Sequence, residues 1–171
     1  EAWFYLGGEY GARAQWRGLR RERGGAARDG KRIKEALERE PALDPRLQEA
    51  YFGSGLYHYY ADVAPTAAQM LRWLLLLPGG DKTEGMQEMM RARQHAELFG
   101  DEADYQLHVI YLWYEKQPQR ALALLTDLRD RHPRNPLFPQ LIAQVQDIYL
   151  HDLPASLRTW RSLLDAARAH R

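Results

Sequence analysis

Apolar residues recur along this chain at the three-and-four spacing of amphipathic helices, and the period-two alternation of strands is nearly missing. Leucine, alanine, arginine, glutamate and glutamine are plentiful, whereas valine, isoleucine and threonine are scarce. That balance favours helix from end to end. Breakers fall at intervals, at Gly24-Gly25, Pro41, Pro45, Pro65, Pro78-Gly79-Gly80, Gly100, Pro118, Pro133, Pro136 and Pro154. The segments between them predict about nine helices, near 2–22, 26–40, 45–61, 65–77, 82–98, 102–116, 118–132, 136–150 and 154–170.

Several boundaries carry their own cause. Asp44 before Pro45 reads as an N-cap followed by proline at the first helical position. Asp81 caps the next start, with Glu84 three residues on as its reciprocal partner. Asp101 does the same before Glu102, and Pro118 and Pro136 suit first turns, where a missing N–H costs nothing. Connections this short make consecutive helices pack antiparallel. The predicted fold class is therefore all-α, one domain over 1–171 built as a string of hairpins.

A string of hairpins calls for a test of internal periodicity. Trp3, Leu6, Gly7 and Tyr10 follow a W-x-x-L-G-x-x-Y spacing, and Ile33, Ala36 and Pro41 supply a later second helix. Tyr51 and Gly55 repeat the aromatic-then-small spacing, and Gly85, Met89 and Ala92 look like its second helix. Tyr105 is followed by Ala121, Leu125, Leu128 and Pro133 at the spacing of a complete repeat. Shifted by the 34-residue period, Val109 falls on Ala143 and Ala121 on Ala155. Thr159 and Ser162 then depart from the usual pattern.

On these residues the chain resembles the tetratricopeptide repeat family over nearly its whole length, least regularly in the middle. Leu71–Gly85 and Arg131–Phe138 are similar to segments of uncharacterised bacterial tetratricopeptide proteins, often exported, which implies an envelope or periplasmic setting. The resemblance implies a right-handed superhelical solenoid in which the first helix of each hairpin lines a concave face. Its phase puts Phe4, Gly8, Gly11 and Ala12 there from the first repeat, and Phe52, Leu56, Tyr59 and Tyr60 from the second. The later repeats add Gln106, Ile110, Trp113 and Tyr114, then Gln140, Gln144 and Asp147. Such a face is aromatic and amide-rich and suits a protein or peptide partner. Aromatic residues at helical spacing more often belong to a core, so the set is expected to divide between the two.

Charge narrows the partners. The formal net charge is +1 over 171 residues, too balanced for general nucleic-acid binding. The basic stretch Arg13 to Lys34 is read as a solvated helix pair rather than an anion site. The absence of cysteine excludes disulfides and thiolate metal sites. The longest apolar run, Met70–Leu77, is too short to span a bilayer.

Three near-motifs fail on context. Gly25 to Arg32 almost spells a P-loop but lacks the final hydroxyl and the preceding strand. Ser54 lies between two glycines without the rest of a nucleophile elbow. None of the six histidines forms a close ligand set in sequence. No catalytic residue, cofactor or metal is expected. The sequence thus reads as a non-enzymatic interaction scaffold; the alternative is a regulatory or targeting module of a larger enzyme or envelope-associated protein. The start at Glu1, inside a helix, reads as a fragment of a longer protein. Its uncapped amino end is expected to allow a homodimer, while Arg158, Arg161, Asp165 and Arg168 offer the last helix a polar cap.

Overall fold

The structure, a computed structural model, describes residues 2–44, 46–63 and 79–169. The helix expected near 65–77 and the apolar run Met70–Leu77 lie outside them. Among the described residues every regular element is a helix: α1 (Ala2–Leu19), α2 (Arg23–Leu43), α3 (Ala50–Val63), α4 (Lys82–His95), α5 (Gly100–Trp113), α6 (Pro118–Arg131), α7 (Leu137–Gln144) and α8 (Leu153–Ala169). A single π-helical turn, Val145–Tyr149, follows α7 directly. The chain divides into two compact units, Glu1–Gly100 and Asp101–Arg171.

In the first unit, α1 and α2 form an antiparallel hairpin. The turn between them comes earlier than the glycines suggest. Arg21 takes a left-handed φ of 61°, its N–H donates to the Gly18 carbonyl at 3.0 Å, and that of Glu22 donates to Arg17 at 2.9 Å. This is the Schellman pattern that closes a helix. Gly24-Gly25 therefore sit inside α2. Near the open end of the hairpin Gly7 meets Ala36: a Cβ on Gly7 would lie 3.4 Å from that of Ala36. Near the closed end Arg13 and Arg17 both bind the buried carboxylate of Asp29, with contacts of 2.6 and 2.7 Å. Arg13 also stacks on Tyr10, as does Arg32, and Arg20 covers Trp16. Much of the basic stretch is thus engaged within its own hairpin.

Two boundaries differ from the sequence expectation. The helix does not stop at Pro41, because α2 runs on to Leu43; so close to its end, the missing N–H removes one backbone bond. Asp44 accepts from the Arg46 N–H at 3.0 Å but caps a turn instead of a helix. Bonds from Leu47 N–H to Asp44 and from Ala50 N–H to Leu47 continue that turn, and α3 starts at Ala50.

Helices α3 and α4 cross almost backbone to backbone. A Cβ on Gly85 would lie 2.5 Å from the Tyr59 nitrogen and 2.7 Å from the Gly55 oxygen. A Cβ on Gly55 would lie 2.9 Å from the Gly85 oxygen. The crossing is antiparallel, since Tyr51 at the start of α3 lies under Arg91 near the end of α4, with the guanidinium 3.7 Å from the ring centre. Asp81 caps α4 as expected, accepting from Thr83 and Glu84 N–H at 2.8 and 3.0 Å. The core beneath holds Ala50, Tyr59, Met89 and Ala92.

In the second unit, Pro118 opens α6 at its first turn as expected, whereas Pro136 is the N-cap of α7 rather than its first residue. The core holds Leu107, Ile110, Leu125, Leu128, Ile142 and Ala143. Asp104 is buried and bound by Arg131. Arg131 and His132 also reach Asp101, so the start of α5 is tied to the end of α6. Ser156 donates to the Ala143 carbonyl at 2.9 Å, and this small contact falls one residue beyond Ala155, where the period had placed it. Buried His108 donates its Nδ1–H to the Tyr105 carbonyl.

Two consequences can be measured. Gly85→Val must part the α3 and α4 backbones, so it should destabilise by about 3 kcal/mol or more, read as a lower urea midpoint by circular dichroism. Burial holds the His108 imidazole below its ordinary value of 6.5, against the opposing backbone bond to Tyr105. The unfolded chain therefore takes up this proton first, and stability should be full above pH 6.5 and fall as the pH drops below it. His108→Gln should flatten that slope in thermal unfolding between about pH 7 and 5.

Candidate functional site

The first unit carries an apolar groove of about 920 Å³. One wall is α1, the other α3, and the side chains of Ile33 and Leu37 from α2 close the bottom. The α3 wall presents Phe52, Leu56 and Tyr57, and Phe99 stacks on Phe52 with ring centres 5.2 Å apart. The α1 wall is unusual: Gly8, Gly11 and Ala12 offer almost no side chain. Glu9 and Arg13 are its charged members, and Arg13 is already held by Asp29.

The glycines explain the cavity. At both Gly8 and Gly11 an added Cβ would meet nothing within 4 Å. Packing therefore does not demand glycine there. Each glycine nevertheless weakens the helix by about 1 kcal/mol relative to alanine. What they leave is space along the groove. Gly30 on α2 also has open space around it but does not line the groove, so the location and not the openness sets Gly8 and Gly11 apart.

The sequence-based site residues distribute unevenly. Gly8, Gly11, Ala12, Phe52 and Leu56 come together in the groove. The side chain of Phe4 lies outside the described residues. Tyr59 has no exposed surface; it belongs to the core because its backbone is pressed against Gly85. Tyr60 is half-buried and meets the Tyr59 ring edge-on at 5.5 Å. Leu37 and Phe99 were not among the expected residues. Phe99 lies in the link before α5, where helical phase gives no signal, and Leu37 comes from a second helix that the repeat phase assigns to the back.

In the second unit, Ile110 is fully buried and cannot contact a partner. Trp113 and Tyr114 are exposed, and the Trp113 indole donates to the Tyr149 hydroxyl at 3.1 Å, joining α5 to the π turn. Gln106 donates to Glu102 one turn back at 3.1 Å. Gln140 is exposed and Gln144 half-buried. The last helix does show Arg158, Arg161, Asp165 and Arg168 to solvent, but its surface is not simply polar. Leu153, Leu157, Trp160 and Leu164 are also exposed and share one face by their spacing.

No protein-family model matches the chain, and no curated protein or solved structure matches it either. Among the described residues no helix is long and apolar enough to cross a membrane. Gly8→Ala and Gly11→Ala should each raise stability by about 0.5–1 kcal/mol, measured by urea unfolding, since neither methyl displaces anything.

Proposed function

We propose that this chain is a tetratricopeptide-type repeat protein, a right-handed solenoid of helix hairpins. It acts without catalysis as a scaffold that holds an apolar segment of a partner protein in the groove between α1 and α3. The observation that carries the reading is the pair Gly8 and Gly11. They weaken α1, fill no steric need, and keep a groove open against an aromatic wall.

Two further features support the repeat assignment. Small residues lie at the hairpin crossings, Gly7 with Ala36 and Gly55 with Gly85. Left-handed residues recur after α1, α5 and the π turn, at Arg21, Lys116 and His151. The last two stand 35 positions apart, close to the family period. A protein segment suits the groove because its lining is mainly contact surface: four aromatic side chains, aliphatic side chains and bare backbone.

A photo-reactive residue in place of Leu56 tests the proposal. In cell extract it should cross-link a discrete polypeptide. A Gly8→Leu, Gly11→Leu variant should fold with unchanged helical circular dichroism, because both positions have room, and should lose that cross-link. Undiminished capture by the filled variant, or no polypeptide captured at all, would overturn the proposal.

A further inference from the structure

The crossing of α3 with α4 assembles three metal-ligating side chains. Glu84 and Glu88 lie one turn apart on α4, so both carboxylates project from the same face. His58 reaches them from α3. One ligand atom from each of the three lies within 4.8 Å of the others. The His58 Nδ1 to Glu88 Oε2 contact is 2.7 Å. The side chains of His58 and Glu88 are 28% and 15% exposed, and Glu84 is exposed. An ion could therefore enter from solvent and be partly enclosed once there.

We infer that His58, Glu84 and Glu88 form a binding site for a divalent transition-metal ion of the zinc class. The chemistry of the set points there. An imidazole with two carboxylates is a borderline-soft donor set, suited to zinc and its neighbours and poorly suited to calcium or magnesium, which take oxygen ligands. Ligand atoms at 2.0–2.2 Å from such an ion lie at most about 4.4 Å apart. The present spread needs only small side-chain rotations to reach that.

Electrostatics favour the same occupant. Two carboxylates at i and i+4 repel one another on a helix. Asp62 and Asp81 add negative charge at this end of the hairpin, where Asp62 accepts from the Lys82 N–H at 3.1 Å and Asp81 caps α4. Lys82 is the cation next to them in sequence. A bound divalent ion relieves the repulsion between Glu84 and Glu88. One turn before His58 on the same face, Ser54 is buried with its hydroxyl unbonded among the described residues. A buried hydroxyl of that kind is one that the water carried by an ion would satisfy.

The backbone fixes the frame. Gly85 neighbours Glu84 and presses on Tyr59, the neighbour of His58. The ligands therefore come from two helices whose separation is set without the ion, which lowers the ordering cost of binding. Three protein ligands leave positions for water, the arrangement of an open rather than a closed site.

Titrating zinc chloride into the full chain by calorimetry tests this. One equivalent should bind, and zinc should raise the melting temperature where magnesium does not. His58→Ala and Glu84→Gln should each raise the zinc Kd by at least about tenfold. Glu84→Gln is the sharper variant. The His58–Glu88 bond survives in it, so its metal-free melting temperature should match the parent while the zinc-induced rise is lost. His132→Ala should leave binding unchanged. Absence of binding, an unchanged Kd in Glu84→Gln, or loss of the site in His132→Ala instead would overturn the inference.

Discussion

The contact between Gly55 and Gly85 sets the distance at which α3 and α4 meet, and much of the first unit follows from it. With no side chain on either, the carbonyl of one glycine occupies the space where the other would carry a Cβ. Helices this close press Tyr59 out of solvent altogether. They also carry His58, the preceding residue, to within 2.7 Å of Glu88. A larger residue at either glycine would separate the helices, expose the tyrosine and pull the imidazole from the carboxylates. One steric fact thus sets a core residue and the hydrogen-bond geometry between His58 and Glu88.

The glycines of this chain do two different jobs. Gly55 and Gly85 are required by packing, because backbone atoms fill the space around them. Gly8 and Gly11 are not, because the space around them is open. The same residue type at similar helical spacing therefore marks a tight crossing in one hairpin and an empty groove beside another. Neighbouring atoms tell the two apart, and a sequence holds no record of those.

That difference explains what the sequence made legible. Helix type and the Asp81 cap depend on local propensity and a side chain's reach to its own backbone, and both were readable. The repeat phase assigned Gly8, Gly11, Ala12, Phe52 and Leu56 to one face, and these five line the same groove. Tyr59 was misplaced because it shares that phase with Leu56 and Tyr60, and only the partner helix decides which of them is covered. Ile110 failed for the same reason between Gln106 and Trp113. The turn at Arg21 was hidden because an arginine took the left-handed position that glycine usually holds. The cluster of His58, Glu84 and Glu88 spans 30 positions and two helices; the i and i+4 glutamates were its one local trace, and a capping role for Glu84 accounted for it too readily.

Helix α1 shows how a groove wall can be held without filling the groove. It carries Gly7, Gly8, Gly11 and Gly18 among its 18 residues, a composition that disfavours helix in isolation. Apolar packing on its open side would restore order but would occupy the cavity. The restraint comes instead from the other side, where Arg13 and Arg17 fork onto the buried carboxylate of Asp29 on α2. Arg13's hydrogen bond holds that carboxyl below its ordinary 3.8 against the opposing effect of burial, so the charged form persists further into acid. The two arginines sit one turn apart, and both reach the same acid only if the intervening turn is helical. The ion pair therefore imposes helix on a weak segment while leaving its glycine face bare. Arg13 belongs at once to this clamp and to the groove lining, which makes it the point where the restraint on α1 and the wall of the cavity are the same side chain.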